Sequence, residues 1–142
     1  MSVDLWKFAQ DNVLLIAVAA ASGGMLLWPL VRGGGAGSSS IGTLEATQMI
    51  NREDALLLDV REPDEYAAEH ILNARNVPIG QLEARLREIE KAKHKPVIVH
   101  CASGNRASNG ASMLRGKGFE KVYTLSGGIE AWRQAGLPVE KK

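Results

Sequence analysis

One stretch, residues 97–107 with the sequence VIVHCASGNRA, constrains the fold of this chain more than any other. It opens on apolar, β-branched residues and reaches His100, which is typical of a buried strand. The one cysteine of the sequence, Cys101, comes next, and small residues then lead to Arg106. Apolar residues recur at helical spacing from Ala107 onward. The stretch therefore predicts a strand, a tight loop and a helix, with the thiol at the start of the loop.

This arrangement predicts a site for a negatively charged group. If the loop curls around its own centre, successive backbone N–H groups point inward and form an anion-binding nest. The positive end of the following helix lies at the same place. Arg106 adds a fixed positive charge, and Gly104 permits backbone angles that a side chain would forbid. Such surroundings stabilise a thiolate, so we expect Cys101 to be a nucleophile. The candidate catalytic residues are Cys101 and Arg106, and the candidate binding loop comprises Ala102, Ser103, Gly104, Asn105 and Ala107.

The less specific interpretations of these residues remain alternatives. A lone cysteine after a buried strand is most often a small core residue without chemistry. The combination of Cys101, Gly104 and Arg106 ahead of a helix favours the reactive interpretation. We expect His100 to be a hydrogen-bonded structural histidine rather than a general base. One cysteine and three scattered histidines predict neither a metal site nor a cofactor.

The length of the loop distinguishes two chemistries. A His-Cys pair followed by a glycine-containing loop and an arginine resembles both the cysteine phosphatases and the rhodanese (sulfurtransferase) family. The phosphatase pattern has five residues between cysteine and arginine, which would place the arginine at Ala107. Here four residues separate Cys101 from Arg106. This shorter loop resembles rhodanese, and its tighter ring suits one extra sulfur atom better than a tetrahedral phosphate.

The resemblance to rhodanese extends over residues 43–139. Its first signature is LLDVREPDEY, which contains Asp59, Arg61 and Glu65. Matching positions follow at His70, Ile71, Ala74, Asn76, Val77, Pro78, Gly127, Gly128, Ala131, Trp132 and residues 136–139. Glu69 and Asn73 stand where the family commonly has glycine, which leaves the conformation of that turn open.

Several of these matching residues have a structural explanation. We expect Asp59 and Arg61 to form an ion pair and turn hydrogen bonds that support the site, rather than to act in catalysis. His70 is expected to form local hydrogen bonds, and Trp132 is expected to lie in the core. Only Cys101 and Arg106, with the loop amides, are therefore expected to take part in the chemistry.

Strands and helices alternate along the rest of this region. Helices are predicted from Thr43, from Pro63, over Ile79–Ile89 and over residues 128–135, and strands over residues 55–60, 74–77 and 121–125. Such alternation predicts an α/β fold with a mostly parallel sheet covered on both faces, and the resemblance implies five strands. Chemistry in such sheets lies beyond the carboxyl ends of the strands, where Asp59 and Cys101 are found.

The resemblance implies a sulfurtransferase of the thiosulfate type. Cys101 would take a sulfur atom from a small anionic donor as a persulfide and pass it to cyanide, a thiol or a protein acceptor outside the chain. The alternative is a membrane-tethered interaction module that recruits or assists an integral-membrane partner. A formal net charge of +1 gives no basic excess for nucleic acid.

The beginning of the chain has a different composition. A polar segment, residues 1–12, precedes an uncharged run over residues 13–31, and Arg32 closes it. As a helix this run would span ~28 Å, close to the hydrocarbon core of a bilayer, so a transmembrane helix is predicted over residues 13–32. A cleaved signal peptide and a buried core helix are the alternatives. A flexible Gly/Ser linker is predicted over residues 33–40, a globular domain over 41–140 and a tail over 141–142. An unpaired thiol favours a reducing compartment, hence a cytoplasmic domain on a single-pass inner or plasma membrane protein.

Overall fold

A computed structural model describes residues 4–31, of which 28–31 by their backbone only, and residues 39–141. The chain forms two compact units that divide between Gly37 and Ser38. Residues 33–38 of the predicted linker, Arg32 and Lys142 lie outside the described residues.

The N-terminal unit contains two consecutive helices, α1 (Leu5–Asp11) and α2 (Val13–Val31). The helix predicted over the uncharged run is therefore present, and the polar segment before it also contains a helix. Neither helix by itself meets a length and hydropathy requirement for crossing a membrane; Leu5–Asp11 and Val13–Leu27 meet it only together, as a pair bent by 82°. Large apolar side chains on both helices are exposed, among them Leu14 and Met25.

The second unit is built on a sheet of five strands that are all parallel, in the order β1-β6-β5-β2-β4. The five strands are β1 (Ser40–Ile41), β2 (Leu56–Asp59), β4 (Arg75–Asn76), β5 (Val97–His100) and β6 (Val122–Leu125). In the central register, Leu58 lies opposite Val99 and Asp59 lies opposite His100. The α/β class and the mostly parallel five-stranded sheet are therefore confirmed.

The core lies on both faces of this sheet because successive strand side chains point in opposite directions. On one face, Leu57 and Ile98 pack with residues of α3 (Thr43–Glu53) and α6 (Gly128–Gln134). On the other face, Leu58 and Val99 pack with residues of α5 (Asn105–Gly116). Helices thus cover both faces, as the alternation of strands and helices predicts.

The prediction of a continuous helix over Ile79–Ile89 is wrong. The structure instead has three short 3₁₀ helices, at Ile79–Gln81, Leu86–Glu88 and Glu90–Ala92. The apolar side chains at the predicted spacing still face the core: Leu82 and Ile89 are buried, and Ile79 and Leu86 are partly buried against the same cluster. Burial therefore does not require a continuous helix here, and Gly80 disfavours one by its low helix propensity. On the surface of this segment, Glu83 pairs with Lys117 at 2.7 Å.

A second sheet, which the sequence does not predict, pairs β3 (His70–Ile71) with β7 (Val139–Glu140) in antiparallel orientation. The turn after β3 contains one of the two departures from the rhodanese pattern. Asn73 has φ +63°, a left-handed conformation that asparagine tolerates better than most residues and glycine adopts freely. Glu69, the other departure, has φ −167°, which is extended backbone open to any residue. α4 (Pro63–Ala68) precedes this region and begins with Pro63, as predicted.

Candidate active site

Cys101 lies directly after β5, at the carboxyl edge of the sheet. The backbone N–H of Gly104 donates a hydrogen bond to the Cys101 Sγ at 3.0 Å. Gly104 adopts φ +126°, which a residue with a side chain rarely does, so glycine is needed for this closure. α5 begins at the next residue, Asn105. The loop thus folds back on the thiol and leads into a helix, the order that the sequence predicts.

Among the loop amides that we expect to point inward, the Gly104 N–H is the one seen to do so, through its hydrogen bond to the Cys101 Sγ. The carbonyl of Gly104 accepts hydrogen bonds from the Ser108 backbone N–H at 3.1 Å and from its hydroxyl at 3.2 Å. These bonds fix the start of α5. For the other amides of the loop, contact with an anion stays a prediction.

The Cys101 thiol is closed to solvent, with only 1% of the residue exposed. It belongs to the same apolar cluster as Val99 and Ala107. The start of α6 packs against the loop, where the Ile129 N–H donates to the Cys101 carbonyl at 3.1 Å. A Cβ on Gly128 would overlap the Cys101 carbonyl and lie 2.7 Å from the Ala102 carbonyl. A donor can therefore reach the sulfur only after the loop or its surroundings move.

Arg106, the second predicted catalytic residue, already has an anionic partner. Its Nη1 donates to Glu65 Oε2 at 2.7 Å and its Nη2 donates to Glu65 Oε1 at 2.9 Å. The two side chains are 34% and 37% exposed. The hydrogen bond from Arg106 is the largest cause that lowers the pKa of Glu65 to about 2. The guanidinium expected to hold a substrate is therefore paired with a carboxylate of the chain itself.

Asp59 and Arg61 form a buried ion pair at the end of β2. The Arg61 Nη2 lies 2.7 Å from Asp59 Oδ2, and the Arg61 backbone N–H donates to Asp59 Oδ1 at 2.9 Å. Arg61 Nη2 also donates to the Glu69 carbonyl at 2.7 Å. The Asn76 side chain joins the turn by donating to the carbonyls of Asp59 and Arg61. This network supports the sheet edge around a buried ion pair.

His100 differs from its expected role. Within the described residues, neither ring nitrogen has a hydrogen-bond partner, and the nearest carboxylate oxygen, Asp59 Oδ2, lies 3.8 Å from Nε2. The expectation of a hydrogen-bonded histidine is therefore wrong. Burial, the dominant cause, lowers the pKa of His100 to about 4, which keeps the ring neutral at pH 7. Asp59, the carboxylate beside the ring, is instead held by Arg61, which donates to both of its carboxylate oxygens.

His70 and Trp132 both have partners. His70 Nδ1 lies 2.8 Å from the Tyr66 carbonyl and Nε2 lies 3.2 Å from Glu140 Oε1. Trp132 is buried and donates to the Pro138 carbonyl at 3.0 Å. These contacts join β3, α6 and β7 and lie outside the thiol loop. Within residues 4–31 and 39–141, no group of three or more His, Cys, Asp or Glu side chains is arranged to hold a metal.

A hydroxyl-rich groove of about 270 Å³ adjoins the loop. No charged side chain is found among the described residues that line it: Ser40, Ser103, Gly104, Asn105, Ser108, Thr124, Leu125, Ser126 and Gly127. Sequence reasoning missed both this groove and the role of Glu65. A usable signal for Glu65 was its place in the first turn of α4, since α4 and α5 start from neighbouring strands at the same sheet edge.

The fold and the thiol loop together define a class, a parallel α/β domain with a single cysteine at the carboxyl end of a central strand. The chain belongs to the Rhodanese-like domain family, whose model matches residues 43–135. A structure of a rhodanese-related protein from Thermoplasma volcanium is similar, with a TM-score of 0.65 and 32% identity, covering 72% of this chain and 98% of that one.

Two similar proteins differ in whether their names state an activity. Thiosulfate sulfurtransferase GlpE of Coxiella burnetii is 37% identical over 93 residues, covering 66% of this chain and 85% of that protein. Uncharacterized protein slr1261 of Synechocystis is 40% identical over 95 residues, covering 66% of this chain. The match spans only 52% of slr1261, about half its length. The family is therefore established, and homologues within it include a named sulfurtransferase.

Proposed function

We propose that this protein is a sulfurtransferase that takes a sulfane sulfur from an anionic donor of the thiosulfate type onto Cys101 and passes it to an external nucleophile. One observation carries the proposal: the Gly104 N–H donates to the Cys101 sulfur at 3.0 Å, at the carboxyl end of a central strand. A backbone donor held there by a fixed loop favours negative charge on the sulfur. The name of the Coxiella relative, thiosulfate sulfurtransferase, supports the same chemistry.

The first step is a displacement at sulfur. The Cys101 thiolate attacks the outer sulfur of thiosulfate, the S–S bond of the donor breaks, and its electron pair leaves with sulfite. The product on the enzyme is a persulfide anion, so the total charge is the same before and after the step. The Gly104 N–H would stabilise this anion, and Arg106 would stabilise the departing charge.

The second step restores the thiolate. An external nucleophile attacks the outer sulfur of the persulfide, and the electron pair of the S–S bond returns to the Cys101 sulfur. Since the sequence contains one cysteine, the acceptor is a molecule outside this sequence, such as cyanide, a small thiol or a protein. Both steps need the loop to open, because the thiol is 1% exposed.

Mass spectrometry of the intact protein tests this proposal. Incubation with thiosulfate should add one sulfur atom to the wild type and none to Cys101→Ser. Addition of cyanide should then remove the sulfur and yield thiocyanate. Equal labelling of the two proteins would refute the assignment of Cys101.

We propose further that the N-terminal helices attach the domain to the inner or plasma membrane, with the domain on the cytoplasmic side. Support comes from the uncharged run over residues 13–31 and from the exposed apolar side chains of α1 and α2. Membrane fractionation should find the full chain in the pellet and a variant lacking residues 1–32 in the supernatant. Recovery of both proteins in the supernatant would contradict the anchor.

The closed thiol favours a second candidate, a membrane-tethered interaction module that recruits or assists an integral-membrane partner. A cysteine with 1% exposure has the burial of an ordinary core residue. For such a module, the Cys101→Ser variant should rescue a strain that lacks this protein as well as the wild-type protein does. Loss of rescue by this variant would favour the enzyme instead.

A further inference from the structure

The two helices of the N-terminal unit differ in how their apolar residues are distributed. α2 contains no charged residue, and its exposed large apolar side chains lie on every side of the helix. α1 has an apolar face and a polar face instead. We propose that α1 lies flat in the interface of a lipid bilayer, with its apolar face toward the acyl chains, while α2 enters the bilayer. This inference rests on the proposed membrane attachment and gives each helix a separate role in it.

The side chains of α1 divide into two sets around the helix axis. At about 100° per residue, the apolar residues share an arc of about 160°: Leu5, Trp6, Phe8 and Ala9. The opposite arc carries the polar residues Lys7, Gln10 and Asp11. Leu5, Trp6 and Phe8 are 79%, 75% and 58% exposed, so the described part of the unit leaves this face uncovered. A helix divided in this way fits the boundary between an apolar phase and water.

The bend between the helices turns this apolar face toward the side on which α2 lies. Leu5–Asp11 and Val13–Leu27 meet at 82°, and the side chain of the connecting residue, Asn12, donates to the Phe8 carbonyl at 2.9 Å. Within α1, Ala9 is partly covered and the other side chains are exposed. Ala9 therefore marks the inner side of the bend, and it lies near the centre of the apolar arc. If α2 enters a bilayer along its normal, α1 runs along the surface with this face toward the acyl chains.

The bilayer fits this face better than a protein does. The face continues across the bend into the uncharged surface of α2, so one apolar phase would cover both helices. The charges of Lys7 and Asp11 cancel, and Asp4 precedes the helix, so α1 has no basic excess to attract anionic lipids. Contact with lipid would therefore depend on apolar burial, and we expect it to be insensitive to salt and to the charge of the lipid.

Site-directed labelling of the full chain in vesicles tests the proposal. Single cysteines in the Cys101→Ser background carry a fluorescent label, and phosphatidylcholine vesicles carry nitroxides either near the headgroups or deep in the acyl chains. The shallow nitroxide should quench labels at Leu5→Cys and Phe8→Cys about threefold more than a label at Gln10→Cys, which aqueous iodide should quench instead. A label at Ala20→Cys, within α2, should respond most to the deep nitroxide.

Two charge variants test the face itself, each read through the label at Leu5→Cys. Phe8→Asp places a carboxylate on the apolar face, and shallow quenching should fall to the level of the label at Gln10→Cys. The matched control, Gln10→Asp, places the same charge on the polar face and should leave the quenching as it was.

Several outcomes would overturn the proposal. Equal quenching of the labels at Leu5 and Gln10, or an equal effect of the two aspartate variants, would show that α1 has no lipid-facing side. A stronger response of the Leu5 and Phe8 labels to the deep nitroxide would place α1 inside the bilayer. Protection from iodide that depends on protein concentration would assign the face to a second copy of this chain, and protection found only in native membranes would assign it to a protein partner.

The label at Ala20 separates failure of this proposal from failure of the membrane attachment on which it rests. Deep quenching at Ala20 without shallow quenching at Leu5 would refute the role of α1 and leave the anchor intact. Shallow quenching at Leu5 without any quenching at Ala20 would retain the interfacial contact of α1 and refute the entry of α2 into the bilayer. Absence of lipid quenching at both positions would refute both.

Discussion

Two arginine–carboxylate pairs lie near the same edge of the sheet, and they differ in ways that decide what each can do. Asp59 and Arg61 are two residues apart, and their side chains are 0% and 7% exposed. Glu65 and Arg106 are 41 positions apart in the sequence. Their side chains are 37% and 34% exposed to solvent. The first pair is part of the folded core, whereas the second can exchange its partner with an ion from solution.

This difference follows from the cost of moving charge out of water. A buried pair cannot lose one member without leaving an uncompensated charge in the interior. Removing one member of a half-exposed pair costs little stability, because water and salt ions replace the missing partner. We therefore expect the Asp59–Arg61 pair to contribute to stability and the Glu65–Arg106 pair to contribute little, and the variants below separate the two.

The largest expected effect is that of Asp59→Asn. It leaves the Arg61 guanidinium buried without its counterion, and removing one partner of a buried pair costs about 3–5 kcal/mol. Urea denaturation of the full chain should show this loss in the free energy of unfolding. Asp64→Asn, an exposed charge change five residues away, should alter stability by less than about 0.5 kcal/mol. Equal stabilities for the two variants would contradict the structural role of Asp59.

The next effect concerns the contact that closes the thiol loop. Gly128 has φ +57°, and an added Cβ would overlap the Cys101 carbonyl and approach the Ala102 carbonyl to 2.7 Å. Gly128→Ala should destabilise the protein on the order of 2–4 kcal/mol and raise the alkylation rate of Cys101 by displacing the loop. The matched control is Gly116→Ala, because a Cβ at Gly116 would meet nothing within 4 Å. An unchanged stability and alkylation rate in Gly128→Ala would show that α6 does not hold the thiol closed.

His100, which is buried beside Asp59, should make the stability of the protein depend on pH. Its pKa is about 4 in the folded chain, below the ordinary 6.5, so the unfolded chain binds a proton that the folded chain does not. Stability should therefore be full above pH 6.5 and fall toward pH 4, by up to about 1.4 kcal/mol per pH unit. His100→Leu, which removes a buried ring without hydrogen bonds, should flatten this slope and leave stability at pH 7 nearly unchanged. Equal slopes in the two proteins would contradict the burial argument.

The contrast between the two pairs also separates what the sequence could predict from what it could not. Apolar strands, helix spacing and the cysteine–arginine loop are local patterns, and they predicted the parallel sheet and the position of the thiol. The prediction of a continuous helix over Ile79–Ile89 failed because the spacing of apolar residues indicates which side chains are buried. It does not indicate which backbone conformation buries them. Three short 3₁₀ helices bury the same apolar residues.

The features of the site that were missed depend on contacts between distant parts of the chain. The closure of Cys101 requires the start of α6 at Gly128, and the pairing of Arg106 requires α4 to start beside α5. A short antiparallel sheet between β3 and β7 also joins residues far apart in sequence. Such contacts are set by packing, so they have no periodic signal in the sequence.

The smallest expected effect is that of Glu65→Gln on stability. It tests whether the half-exposed Glu65–Arg106 pair contributes little to the free energy of unfolding. The pKa of Glu65 is about 2 in the folded chain, below its ordinary 4.5, so the pair stabilises the protein above pH 4.5 and this contribution is lost as pH falls toward 2. Because both side chains are more than a third exposed, solvent screening limits the effect to less than about 1 kcal/mol. Urea denaturation at pH 6 and at pH 2.5, in low and high salt, should find the difference from wild type only at pH 6 and low salt. A difference above about 2 kcal/mol, or one that salt leaves unchanged, would mean that Glu65 is needed to hold the fold. In that case Arg106 would not be free to leave Glu65 for a donor, and the distinction between a structural pair and an exchangeable pair would fail.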